Sequence, residues 1–355
     1  MNIFITGGTG FLGTQFIQQL VDSNYRVFVL VRSPKKGNAL LSKIPLHQHS
    51  QIEIIEGDLS DYQLGISKED QRKLNGTIDA FFHIAALLSF DFKMADQLYK
   101  INEMGTKHTL EFAKNTGVKS YHYISTAYTL GKKNVAVESL HEVDQEFNNP
   151  YEETKCRAEH LVMSYSDSMK VSIFRPSIIV GNSETGETDS AFGLYGFIKG
   201  LEIFKKRIAR LGDYSDKKFS IIGNQLGTQN LVPVDYVCHV LMEGLKSAKN
   251  KTIYHITNPN PPVNHEGLKI IEELLDFPHI QFNTKENTTL TKEEAILNEF
   301  ISNFTIYVNR DIDFKITNTR KLLKDTNNKV LKMDKEMLTT IIYGYKKEEK
   351  QPILL

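Results

Sequence analysis

The sequence predicts an α/β protein: a doubly wound parallel sheet followed by a smaller, mostly helical C-terminal lobe. Three observations carry that expectation. Short apolar runs alternate with helical patterns through the first two-thirds of the chain. Those runs are almost continuously apolar, as strands covered on both faces must be. The first of them feeds a glycine-spaced turn that opens an amphipathic helix. With 355 residues and roughly 150 per domain, the chain holds about two domains, or one large domain with an appended lobe.

Asn2-Ile-Phe-Ile-Thr6 reads as the first strand, and the helix over 14–21 places Phe16, Ile17, Leu20 and Val21 on one face. Residues 26–31, 51–55, 79–84, 121–125 and 171–174 follow as strands two to six. After Gly181 the rhythm breaks. Residues 182 to about 225 are richer in Gly, Lys and Asp, with a basic helical stretch over 197–210. A strand over 229–234 then leads, through Asp235 as a helix cap, into a helix with Val237, Val240, Leu241, Gly244, Leu245 and Ala248 inward. One more strand covers 253–256, and 261–355 is dominated by helices. The expected division is a core of 1–182 plus 226–260 and a substrate lobe of 183–225 plus 261–355.

Composition excludes several classes. The 43 Lys and Arg balance 43 Asp and Glu, which removes the electrostatic case for a nucleic-acid or anionic-membrane partner. Two cysteines, Cys156 and Cys238, cannot form a disulfide framework, so a reduced, cytoplasmic setting is expected. No run approaches the ~20 apolar residues of a membrane span, and a strand starting at Asn2 leaves no room for a signal peptide. The eleven histidines and two cysteines show no metal-ligand spacing, so no metal is expected.

Thr6-Gly-Gly-Thr-Gly-Phe-Leu-Gly13 places Gly7, Gly10 and Gly13 three apart, between the first strand and the first helix. Glycines there permit the tight turn, a close approach by a pyrophosphate, and helix packing on the sheet, while the helix N-terminus offers free N–H groups. The pattern predicts a Rossmann-type dinucleotide site with Gly7, Thr9, Gly10, Phe11, Leu12 and Gly13 against the cofactor. An NAD site commonly carries Asp or Glu about 20 residues after the glycines. Here that place holds Arg32, with Lys35 and Lys36 just beyond, and a guanidinium suits a 2′-phosphate. NADP(H) is expected in preference to NAD. Asp58 and Leu59, after the third strand, flank the adenine in this reading. Ala85 and Ala86 are small where the cofactor would pass, and His83 is read as a packed strand residue.

A Tyr-x-x-x-Lys pair puts both side chains on one helix face. The chain has five such pairs, at 128/132, 151/155, 195/199, 214/218 and 343/347, and Tyr151/Lys155 alone begins a clear helix, with Pro150 before it and Ala158, Leu161, Val162 and Tyr165 continuing an inward stripe. A nearby ammonium is expected to lower the phenol from its usual ~10. Tyr151 would then give a proton to a carbonyl oxygen as hydride arrives, with Ser125 and Thr126 holding the same oxygen. Cys156 is read as a packed thiol. The Lys205–Arg210 cluster is read as a solvated helix face, with the phosphates of CoA or an acidic carrier protein as the alternative.

With these pieces in order, residues 1–260 resemble the extended short-chain dehydrogenases/reductases. The resemblance implies a catalytic set of Thr126, Tyr151 and Lys155, with Lys155 also on the cofactor. It implies that Asn102, in Ile101-Asn-Glu-Met-Gly-Thr106, supports the site, and that Arg175-Pro176-Ser177-Ile178 touches the nicotinamide end, adding Pro176, Ser177 and Ile178 to the cofactor set. Ser125-Thr-Ala-Tyr128, Tyr151-Glu-Glu-Thr-Lys-Cys-Arg-Ala-Glu159, Phe174-Arg-Pro-Ser-Ile-Ile-Val-Gly181 and Asn230-Leu-Val-Pro-Val-Asp-Tyr236 are similar to the thioester-reductase branch, with Tyr254-His-Ile-Thr-Asn-Pro259. That branch implies an NADPH-dependent reductase of a CoA- or carrier-bound acyl thioester, or of the derived aldehyde. The chain carries no adenylation or carrier domain of its own. The alternatives are a nucleotide-sugar epimerase or dehydratase, a ketone or hydroxysteroid dehydrogenase, and a non-catalytic dinucleotide sensor. The expected assembly is a monomer or homodimer.

Overall fold

The computed structural model describes residues 1–284, 289–324 and 330–348. Its chain forms two units. The first comprises Met1–Ser177, Val237–Thr257 and Phe314–Val330; the second comprises Ile178–Tyr236, Asn258–Asp313 and Leu331–Leu355.

The first unit is built on a seven-stranded sheet of β1 (Asn2–Thr6), β2 (Arg26–Val31), β3 (Ile52–Glu56), β4 (Ala80–His83), β5 (Ser120–Ile124), β6 (Lys170–Pro176) and β7 (Thr252–Ile256), in the order β7-β6-β5-β4-β1-β2-β3. Every pairing is parallel. Rings cover both faces. Phe4 stacks on Phe81 at 4.9 Å and Phe81 on Tyr121 at 5.2 Å, while Phe82, pointing the other way, meets Phe16 at 4.7 Å and His122 at 4.5 Å. Both faces being covered is why the strands read as unbroken apolar runs rather than alternating ones. The strand order turns between β1 and β4, the place where open α/β sheets bind ligands beyond the strand ends.

Three helices position the site: α1 (Phe11–Asp22), α2 (Gly105–Asn115) and α3 (Pro150–Ser164). The start of α3 is fixed twice over. Asn149 accepts from Glu152 N at 3.0 Å with Pro150 in the first turn, and the Glu152 carboxylate accepts from Asn148 N at 3.0 Å. Tyr151 therefore sits at a firmly capped end.

In the second unit, helix Leu194–Ile208 buries Tyr195, Ile198, Leu201 and Phe204 among Ile271, Leu297 and Ile341. Ile178–Val180 pairs with Leu231–Pro233, and Phe219–Ile222 with Ile280–Asn283, both parallel. The Tyr195 hydroxyl accepts from Gly181 N at 2.8 Å and donates to Ile341 O at 3.3 Å.

The units differ from the sequence expectation in four stretches. Residues 178–182, 226–236 and 258–260 lie in the second unit, the first two because Ile178–Val180 and Leu231–Pro233 form their own sheet. Phe314–Val330 belongs to the first because its backbone is held there. Glu138 accepts from the backbone N–H groups of Asn318 and Thr319, and His255 Nδ1 lies 2.8 Å from Lys315 O. Asp235 is not a helix cap: it lies in the first turn of Val234–Ser247 and accepts from Ser183 N and Oγ at 2.8 and 2.7 Å. In the basic cluster, Lys205 bonds the carbonyls of Leu275 and Asp276, and Lys206 pairs with Glu202. Residues 349–355 of the expected lobe lie outside the described residues.

Candidate active site

The glycine turn is shaped by close backbone approach. Gly7 has φ +76°, and a Cβ there would stand 2.5 Å from Ala85 N; a Cβ on Gly13 would stand 2.2 Å from Gly7 O. Gly10 caps α1 with no side-chain bond to the helix, and no acidic residue occupies the first turn. Thr9 and Gly10 are exposed and Phe11 half-buried, whereas Leu12 packs inward. This is a cradle for an anion: bare N–H groups, the positive dipole end, and no room for side chains.

The other expected cofactor residues lie at or after the ends of β2, β3, β4 and β6. Arg32, Lys35 and Lys36 are exposed at the end of β2 and the start of helix Pro34–Leu41. Asp58 holds its own turn through Ser60 N at 2.8 Å, and Leu59 O accepts from His108. Ala85 is half-buried and Ala86 exposed. Pro176 ends β6, Ser177 N donates to Ile256 O at 3.0 Å, and Ile178 opens the second unit.

A buried polar chain joins the turn to α3. The Thr6 hydroxyl lies 2.6 Å from His83 Nδ1, and His83 Nε2 lies 3.0 Å from the Thr106 hydroxyl, which donates to Asn102 O at 2.5 Å. Burial drives the His83 pKa well below its usual value, so the ring is a neutral bridge between hydroxyls. Asn102 lies in a π-helical turn, Tyr99–Met104, between two α-helical stretches, a distortion that often marks functional sites. Its carboxamide accepts from Leu87 N at 2.8 Å, donates to Leu87 O at 3.0 Å, and reaches the Thr154 hydroxyl at 3.3 Å.

On α3, Lys155 is 1% exposed. Its ammonium donates to Ile124 O at 2.6 Å and lies 4.2 Å above the Tyr123 ring. Burial lowers its pKa to about 7, with Glu159 pulling the other way. Tyr151 is half-buried, its ring 6.3 Å from that of Phe90. Its phenol moves opposite to the sequence expectation: burial, then the Glu152 charge, raises the pKa above 10. Thr126 is buried and its hydroxyl accepts from Tyr128 N at 3.4 Å. The hydroxyls of Ser125 and Ser177, both buried at strand ends, have no hydrogen-bond partner among the described residues. An unpartnered buried hydroxyl costs about 1–3 kcal/mol, which a ligand group can offset.

Arg175, assigned to the nicotinamide end by resemblance, is fully buried and serves the scaffold. It grips Glu159, one helical turn beyond Lys155, through Nε at 2.8 Å and Nη2 at 2.5 Å. It also donates to Val137 O at 3.1 Å and Ser139 O at 3.0 Å. Sequence reasoning did not find Thr6, Thr106, Thr154 or Glu159; each acts through a partner distant in sequence. Cys156 is buried and its thiol is pushed up to about 12, which removes it as a nucleophile. Among the described residues no three of His, Cys, Asp and Glu gather as a metal would require, and no helix is long and apolar enough to cross a membrane.

The residues present fit a dinucleotide: a side-chain-free cradle, a bare helix end and orphaned hydroxyls at the carboxyl ends of the strands. Comparison with known proteins agrees. A terminal R domain from the myxalamid PKS-NRPS biosynthetic pathway superposes with a TM-score of 0.77 at 23% identity, covering 98% of this chain and 90% of that one. The dTDP-glucose 4,6-dehydratase DesIV from Streptomyces venezuelae, solved with NAD bound, gives 0.68 at 20% identity, covering 99% and 98%. In sequence, the chain is 28% identical to a linear gramicidin synthase polypeptide of Brevibacillus parabrevis over 72% of its length and 5% of the relative's. A fatty acyl-CoA reductase of Drosophila melanogaster is 27% identical, covering 68% and 53%. The chain thus spans a small part of the synthase and about half of the fatty acyl-CoA reductase. The class is that of NAD(P)-dependent oxidoreductases of the extended short-chain dehydrogenase/reductase type, with a nicotinamide dinucleotide as cofactor. Residues 5–241 match the family model described as male sterility protein, and the chain belongs to that family.

Proposed function

We propose that the protein is an NADPH-dependent reductase of an acyl thioester, bound to CoA or to a carrier protein, or of the derived aldehyde. The observation that carries this reading is the start of α3: a phenol on a capped first turn, a buried ammonium one turn later on Ile124 O, and the orphaned Ser125 hydroxyl next along β5. The family, the R-domain fold and the fatty acyl-CoA reductase relative support the substrate class. Exposed Arg32, Lys35 and Lys36 support the 2′-phosphate, and the cytoplasm is the compartment proposed.

Gly7, Thr9, Gly10, Phe11, Leu12 and Gly13 would hold the pyrophosphate, with Asp58, Leu59, Ala85, Ala86 and Lys36 along the cofactor and Pro176, Ser177 and Ile178 at its nicotinamide end. Bound there, NADPH supplies a hydride. Ser125 and Thr126 hold the carbonyl oxygen, and Tyr151 gives it a proton as general acid. Lys155, one turn along α3, ties that helix to the end of β5 through Ile124 O. Loss of the thiol from the hemithioacetal leaves an aldehyde. Asn102 keeps Leu87 and Thr154 in place around this set.

The test is NADPH oxidation by purified protein with a panel of acyl-CoAs, aldehydes and nucleotide sugars. Oxidation with acyl-CoAs or aldehydes is expected, and sugar turnover without net oxidation would defeat the reading. A relative named 3 beta-hydroxysteroid dehydrogenase/Delta 5-->4-isomerase in Mycobacterium tuberculosis, 30% identical over 65% of this chain and 61% of its own, supports a second reading, a ketone or hydroxysteroid dehydrogenase. Steroid substrates belong in the same panel.

A further inference from the structure

The loop that leaves β4 touches three parts of the first unit in turn. Ala85 lies against the glycine turn, so close that a Cβ on Gly7 would stand 2.5 Å from Ala85 N. Leu87 is held at both N and O by the Asn102 carboxamide, which also reaches Thr154 on α3. Phe90 then meets Tyr151, with ring centroids 6.3 Å apart and planes inclined at 59°. Beyond it the chain is pinned again, Asp91 Oδ1 accepting from Lys93 N at 2.9 Å. The loop is therefore a fixed strip from the dinucleotide cradle to the proton-donating phenol, not a free excursion.

Apart from Ser89, whose hydroxyl accepts from Asp91 N at 3.3 Å, the side chains from 87 to 90 are apolar and only partly packed away. Leu87, Leu88 and Phe90 are all half-buried, unlike Phe81 and Phe82 of the preceding strand, which are fully enclosed. A carbonyl placed for proton transfer lies within hydrogen-bond reach of the Tyr151 oxygen. Carbons near that carbonyl come within reach of side chains packed on the phenol ring, and Phe90 is such a neighbour. We propose that Phe90 is a specificity-determining residue: its ring is the apolar contact for the acyl chain beyond the carbon bonded to the reacting carbonyl, and it sets which acyl chains are reduced. This rests on the thioester-reductase reading.

Two variants of the full chain test it. The sequence contains no tryptophan, so Phe90→Trp introduces a single indole at the proposed contact, readable without turnover. Titration with dodecanoyl-CoA is expected to shift its emission to the blue in a saturable way, and CoA without an acyl group is expected to leave it unmoved. An absent response to dodecanoyl-CoA, or an equal response to CoA, overturns the proposal. In Phe90→Ala, the ratio of kcat/KM for dodecanoyl-CoA to that for acetyl-CoA is expected to fall by ~10–100-fold, the range a few methylenes command in an apolar site. An equal loss for both substrates, with the ratio kept, means that Phe90 only supports Tyr151 and overturns the proposal while leaving the thioester-reductase reading intact. If the unmodified protein oxidises NADPH with no acyl thioester, that reading fails instead, and the indole titration still decides whether acyl chains meet residue 90.

Discussion

At the glycine turn, side chains are missing where backbone must come close; a Cβ on Gly13 would lie 2.2 Å from Gly7 O. At α3 the reverse holds. Lys155, Glu159 and Arg175 are long charged side chains taken almost wholly out of water, each matched to a partner. One region is exact because nothing intrudes, the other because its buried charges are held by partners. The first should break when an atom is added and the second when a partner is removed.

The largest expected effect is on chemistry alone. Tyr151→Phe should lower kcat by roughly 10²–10⁴-fold while the NADPH dissociation constant, followed by cofactor fluorescence, stays nearly constant; equal loss of both would make Tyr151 a scaffold residue. Next comes Arg175→Met, which strands the Glu159 carboxylate in the core and should cost about 3–5 kcal/mol in urea unfolding. The double variant Arg175→Met with Glu159→Leu should recover much of that loss, since an apolar pair leaves no charge uncompensated. Gly13→Ala should cost about 1–3 kcal/mol through overpacking and weaken NADPH more than it slows turnover at saturation. Arg32→Asp should move cofactor preference toward NADH by about tenfold or more, the worth of a charged hydrogen bond, and an unchanged ratio would remove the 2′-phosphate role.

The remaining effect is a slope. Burial holds Lys155 at about 7 in the folded chain, against a usual value of 10.5. Between those values the unfolded chain carries the proton and the folded one does not, so stability should rise with pH across that window, with the full penalty present below it. Urea midpoints at several pH values, compared with those of Lys155→Met, should show the slope in the parent and its loss in the variant.

Much of this was legible in the sequence, and the reason is local. The strands announce themselves because both faces are covered, and Tyr151 stands out among five tyrosine–lysine pairs because Pro150 and an inward stripe mark a helix start. The glycine turn is legible because its geometry excludes side chains. What could not be read depends on distance. Arg175 meets Glu159 only after α3 folds back over β6. No residue type encodes the π-helical turn that carries Asn102. The direction of the Tyr151 shift follows from how deeply the first turn of α3 is buried, and spacing along the chain does not record depth.

The carboxylate of Glu138 has a consequence for synthesis. One of its backbone donors, His255 N, lies 117 residues downstream, and two others, Asn318 N and Thr319 N, lie 180 and 181 residues downstream. At about 5–20 residues per second a ribosome needs roughly 10–40 s to make that stretch. A nascent chain can assemble most of the seven-stranded sheet's strands well before then, with His255 N already available to Glu138, but the contacts that hold the late segment must wait for its synthesis. A message cut short before codon 318 would leave Glu138 without two of its backbone donors.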